Sequence, residues 1–179
     1  LIAVLPPRRR QEFRIALTAS LLVLAGVVWM GWRFDEEPAV GGVRILQKVP
    51  WVPNLGLCYQ VGVDGIGLVM VLLTALVTVA AVCVSGRVTE RPRGFFVCLM
   101  LMAGGALGAF VSLDLLFFYV FHELALVPLF LLIGFWGRGK RREKIAMKVV
   151  LYLALGSLVL LAGLICFYCA LPQPTFDLL

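Results

Sequence analysis

The chain has 179 residues, 62% of them hydrophobic, and a formal net charge of +6; its mean hydropathy is +1.03. A composition this apolar excludes an ordinary soluble domain and fits a polytopic α-helical membrane protein. The positive charge is therefore read first as membrane topology and not as a sign of nucleic-acid binding.

In chain order, residues 1–14 read as the end of a preceding apolar helix (LIAVLPP) and a basic loop carrying Arg8, Arg9, Arg10 and Arg14. No cleavable signal pattern is expected there. Residues 15–32 are the first apolar run long enough for a complete span. It ends near Trp29 and Trp32, a residue type that favours the membrane interface. Residues 33–66 break the pattern. An acidic FDEEP is followed by two partly alternating segments, 43–49 and 57–63, with PWVPNLG between them. This fits a long-looped β-hairpin or an irregular amphipathic loop. Either must lie outside the hydrocarbon, because open strands cannot face lipid.

Residues 67–84 form the second span. Asp64 is placed to cap its start, a role preferred here over a catalytic one, and Gly65 and Gly67 permit a sharp turn. Residues 85–94 are a basic loop. The third span, 95–111, contains GGALG, small residues that let helices approach closely. Ser112, Leu113 and Asp114 make a tight connection, with Asp114 as cap for a fourth span at 115–136. Residues 137–145 form a basic loop, read as a solvated membrane anchor. The fifth span is 146–170, with Lys148 just inside it, and 171–179 is a tail whose two prolines stop a helix from continuing smoothly.

The fourth span, LLFFYVFHELALVPLFLLIGFW, is where chemistry is expected. It is about long enough to cross a ~30 Å hydrocarbon core. Glu123 sits near its middle with His122 beside it. A carboxylate at that depth costs about 2.5–3.5 kcal/mol on insertion scales. Five residues on, Pro128 has no N–H to give the Leu124 carbonyl, so the helix is expected to be polar and kinked there. A buried acid beside an interrupted backbone points to a proton or ion path. The bland alternative is a glutamate that hydrogen-bonds a neighbouring helix. The cysteines (Cys58, Cys83, Cys98, Cys166, Cys169) show no disulfide framework, and those in apolar runs are ordinary small hydrophobes. Cys166 and Cys169 form C-x-x-C inside a membrane helix with no other ligand cluster, which disfavours a metal or redox role.

Loops alternate between two sides of the membrane. Thirteen of the sixteen basic residues fall on one side; only Arg33, Arg44 and Lys48 fall on the other. By the positive-inside rule the first side faces cytoplasm or matrix. No Lys or Arg stands at mid-membrane depth to pair with Glu123. The expected fold class is an all-α polytopic membrane helix bundle of about five complete spans, with an extramembrane β-hairpin between the first two.

The segments FHELALVPLFLLIGFWG and PWVPNLGLCYQVGVDGIGLVMVLLTALV, with W-x-P-x-L-G and VGVDGI inside the second, resemble subunit 4 of proton-pumping NADH dehydrogenase, an antiporter-like membrane subunit of respiratory complex I. KIAMKVVLYLALGSL and TFDLL extend the resemblance over almost the whole chain, in family order. It implies that Glu123 is the family's key glutamate, that Lys148 is a lysine at the start of the following helix, and that Asp64 is the acid before the family's third helix. A departure is Leu153, where many relatives have Thr.

The resemblance also implies what lies elsewhere. Two later broken helices of the family, with their lysines, are expected on a companion chain, as in a split or partial subunit. Partners would be other membrane-arm subunits, including neighbouring antiporter-like ones, and lipids, with no nucleic acid. The chain would belong to a proton-translocating NADH:ubiquinone reductase without carrying a redox centre. It has no Gly-rich nucleotide loop and no cysteine set for an iron–sulfur cluster, so FMN, iron–sulfur clusters and quinone would be used by the whole complex. The expected location is the mitochondrial inner membrane, with the bacterial plasma membrane as alternative. Two rival functions stay open: a subunit of a multi-component cation/proton antiporter, and a structural subunit in which Glu123 only joins helices.

Overall fold

The structure, a computed structural model, describes residues 9–36, 38, 42–52 and 57–170. The helix end expected at 1–8, the 53–56 stretch between the strands and the 171–179 tail lie outside the described residues. The elements are α1 (Arg9–Arg33), β1 (Arg44–Val52), β2 (Leu57–Val63), α2 (Gly65–Val84), a 3-10 turn at Ser85–Arg87, α3 (Pro92–Val111), α4 (Leu115–Trp136) and α5 (Arg142–Ala170). All five α-helices are long and apolar enough to cross a membrane. α1 and α5 begin inside the basic segments, ahead of the apolar runs at 15 and 146. Arg, Lys and Glu are good helix formers, and helical hydrogen bonding need not stop at the hydrocarbon boundary.

Successive helices pack on one another, and α1 also touches α3. Ala16 at the start of α1, Val82 at the end of α2 and Phe96 at the start of α3 share one buried cluster with Leu99. Val27, Val71 and Ala75 form a second cluster toward the other end of α1 and α2. These pairings make the neighbouring helices antiparallel. Much apolar surface stays outside the bundle: Leu22, Trp32 and Val84 are 73%, 82% and 82% exposed. Such surface would be a liability in water and is ordinary against lipid.

The two strands pair antiparallel, with Lys48 opposite Gln60 and Val49 opposite Tyr59. The alternating segments are thus a hairpin, and it is docked on the bundle. Val61 bridges to Ser112, and the Leu113 N–H donates to the Gln60 carbonyl at 2.9 Å. Tyr59 meets Phe117 of α4 edge-on, centroids 4.9 Å apart. A Cβ on Gly62 would come within 2.6 Å of Val43 and 2.7 Å of Leu113, so the close approach requires glycine. Arg44 ties β1 to the end of α1, donating to the Phe34 carbonyl at 2.6 Å and the Asp35 carboxylate at 3.0 Å. At the opposite end of α4, the Trp136 indole N–H donates to the Glu90 carbonyl at 2.6 Å. The hairpin therefore holds one end of the Glu123 helix, and the loop before α3 holds the other.

Candidate proton-transfer helix

α4 is started by Asp114, which is fully buried. Its Oδ1 accepts from the Leu116 and Phe117 N–H groups at 2.9 and 3.1 Å. The Ser112 hydroxyl donates to the Asp114 carbonyl at 3.0 Å. The two bonds to Oδ1 satisfy backbone donors that the first helical turn leaves open. Glu123 follows nine residues later, about 14 Å along the axis, and about 20 Å before Trp136. Pro128 is buried inside a helix that runs unbroken from Leu115 to Trp136. The backbone thus loses one hydrogen bond at Leu124 but is not unwound.

The Glu123 side chain is 35% exposed and its neighbour His122 39%; His122 Nδ1 and Glu123 Oε1 stand 3.9 Å apart. Both atoms are buried, and neither has a hydrogen-bond partner among the described residues. An orphaned buried polar group costs about 1–3 kcal/mol. His122 is oriented by stacking on Phe118, centroids 6.5 Å apart. The site is therefore an acid and an imidazole held close, each with unused hydrogen-bonding capacity.

Helical spacing puts Phe121 and Ala125 on the α4 face that meets Gly105 and Gly108 of α3. Glu123 falls on the opposite face, in line with Phe130 and Gly134. A Cβ on Gly134 would meet the Ala146 Cβ of α5 at 3.8 Å. Counting eleven residues from this contact along each antiparallel helix brings Ser157 level with Glu123. Ser157 is only 4% exposed, and its hydroxyl donates to the Ala154 carbonyl at 3.0 Å, which leaves lone pairs able to accept. Sequence reading passed over Ser157; the signal was its eleven-residue spacing from Ala146.

The other residues singled out from sequence lie apart from Glu123. Lys148 is exposed and near the Trp136 end, about 14 Å from Glu123 along the axis by the same register. Asp64 caps α2, with its Oδ1 accepting from the Gly67 N–H at 2.6 Å. Cys166 and Cys169 are exposed and free, and among the described residues no three His, Cys, Asp or Glu side chains gather. A second buried acid was missed. Glu12 is 4% exposed and shares a face of α1 with Ala16 and Ser20. Neither of its carboxylate oxygens has a hydrogen-bond partner among the described residues. It lies in RRRQEFR, within the segment read from sequence only as a basic loop.

Comparison with known proteins adds the following. The family described as NADH:quinone oxidoreductase/Mrp antiporter, TM, matches residues 112–179, which include all of α4 and α5. A NAD(P)H-quinone oxidoreductase chain 4 of Synechococcus sp. (strain JA-2-3B'a(2-13)) is 40% identical over 84% of this chain and 27% of its own length. Another, from Picosynechococcus sp., is 36% identical over 99% of this chain and 32% of its own length. Among solved structures, a chain of respiratory complex I from Thermus thermophilus superposes with a TM-score of 0.81 at 29% identity, over 99% of this chain and 35% of that one. A chain of the Mrp complex from Dietzia sp. gives 0.76 at 18% identity, over 93% of this chain and 18% of that one, a likeness of fold. This chain thus spans only 27–35% of the chain-4 relatives and the complex I chain named above. It belongs to the NADH:quinone oxidoreductase/Mrp antiporter family of membrane subunits, within which it corresponds to part of the subunit named chain 4.

Proposed function

We propose that this chain forms part of the proton-translocating membrane arm of a respiratory NADH:quinone oxidoreductase, and that Glu123 is its proton-carrying group. The observation that carries the reading is the Glu123 Oε1 atom, buried at mid-depth of α4 with no hydrogen-bond partner among the described residues, inside the segment that the family matches. A cation beside a carboxyl group stabilises its ionised form. Moving such a cation changes its proton affinity, and a group whose affinity switches can take up a proton on one side and release it on the other. Lys148 is too far along the bundle for this role. The cation would come from the remaining length of the family protein, whether in the same polypeptide or on a companion chain, as a lysine on a helix beside α4. Lys148 would contribute charge near the mouth of the path.

The redox steps, with FMN, iron–sulfur clusters and quinone, would belong to other subunits, and the chain would contact neighbouring antiporter-like subunits and lipid. The bacterial origin of the relatives named above supports a bacterial plasma membrane over the mitochondrial inner membrane. The antiporter alternative has fold likeness to the Mrp complex behind it at 18% identity, against named chain-4 relatives at 36–40%. Co-purification with a flavin- and iron–sulfur-containing peripheral arm would separate the two.

The test is Glu123→Gln in the assembled complex. Proton pumping and coupled quinone reduction fall, while NADH oxidation by artificial acceptors is largely intact. Normal pumping by an assembled Glu123→Gln complex would leave Glu123 as helix glue.

A further inference from the structure

We propose that the Trp136 end of the bundle holds a binding site for the phosphate headgroup of an anionic phospholipid. A cavity of about 860 Å³ lies there, and three separate segments bring arginines to it: Arg87 from the 3-10 turn, Arg138 from the loop after α4 and Arg142 from the first turn of α5. One acid, Glu90, lines it with them. Among the described residues, none of the three guanidiniums is in an ion pair. Three arginines against one acid leave a net positive cluster, and a bound anion relieves the repulsion among them. Guanidinium forks match phosphate oxygens two at a time. The positive end of the α5 macrodipole points the same way, because α5 starts at Arg142.

Two features select a lipid over a free anion. The cavity wall includes Cys83 and Val84, the last residues of the membrane-crossing α2, and Val84 is 82% exposed. Acyl chains leaving the headgroup would lie along that apolar wall. The lining also includes Trp136, whose ring packs edge-on against Phe95 at 5.6 Å while its N–H is bonded to the Glu90 carbonyl. An indole with an apolar body and a polar tip belongs at the headgroup level. Basic pockets between helices on the basic side of a membrane take anionic headgroups for the same reason. The site does not depend on Glu123 carrying protons.

The experiment uses the complex in mixed micelles. Phosphatidylglycerol with a diazirine near its glycerol backbone is crosslinked to the unaltered protein, with the matching phosphatidylcholine probe and excess inorganic phosphate as arms. The expected result is labelling of residues 83–90 and of Trp136 by phosphatidylglycerol, little labelling by phosphatidylcholine, and no competition by inorganic phosphate. Arg142→Gln lowers labelling about fivefold, and Gln at all three arginines lowers it on the order of a hundredfold. Equal labelling by both lipids, displacement by inorganic phosphate, or unchanged labelling in the triple variant would overturn the proposal. So would absence of label from the unaltered complex, which would mean that protein covers the cavity.

Discussion

Gly105 of α3 lies directly against the backbone of Ala125 in α4. A Cβ on Gly105 would stand 2.9 Å from the Ala125 amide nitrogen and 3.1 Å from its Cβ. This contact sets how near the Glu123 helix can come to α3, and it turns Glu123 toward α5. Its neighbour Gly104 has open space where a Cβ would go.

The first prediction follows from that pair. Gly105→Val forces α3 and α4 apart, with a cost of about 1–3 kcal/mol typical of overpacking. Gly104→Ala is neutral or slightly stabilising, because alanine is the better helix former. Thermal unfolding of the two variants in detergent, followed by helix content, checks this. Equal midpoints would mean that α3 and α4 are not in backbone contact.

Asp114 makes a separable contribution. Asp114→Ala removes both cap bonds to α4 and costs about 0.5–2 kcal/mol. Asp114→Asn keeps a side-chain oxygen in place and costs less. Amide exchange at Leu116 and Phe117 should quicken in the alanine variant and stay near normal in the asparagine variant. No change at those amides would sink the cap.

The register of α4 on α5 is tested by a cysteine pair. Gly134→Cys together with Ala146→Cys should crosslink on mild oxidation, because the two Cβ positions are 3.8 Å apart, the usual disulfide spacing. Failure to crosslink would shift α5 along α4 and remove Ser157 from the level of Glu123.

Glu123→Asp keeps a carboxyl group but withdraws it toward the backbone. Pumping should fall between the unaltered protein and Glu123→Gln. An aspartate variant as impaired as the glutamine variant would show that position matters as much as titratability.

Orientation in the membrane is predicted from the basic residues. Cysteines placed in the 137–141 loop should react with impermeant reagent only from the cytoplasmic or matrix side, and cysteines on β1 only from the other side. Labelling of the 137–141 loop from outside would reverse the bundle.

The sequence by itself determined the spans and their local punctuation. In hydrocarbon every backbone group must be bonded within the chain, so a long apolar run becomes a helix whatever surrounds it. Asp64 and Asp114 could be read as caps and Pro128 as a missing donor, because those effects act within a turn. The tertiary structure alone decided the rest. α4 is apolar on nearly every side, so its pattern does not distinguish the face toward α3 from the face toward lipid; Gly105, Gly108 and Phe121 make that choice by shape. Whether 43–63 was a hairpin or a loose loop turned on pairing between distant residues and on docking against Ser112 and Leu113. Glu12 is buried only because α1 packs on its neighbours, and Arg87, Arg138 and Arg142 looked like separate loop charges until the helix ends met. Each of these depends on where whole helices sit, which no window along the chain contains.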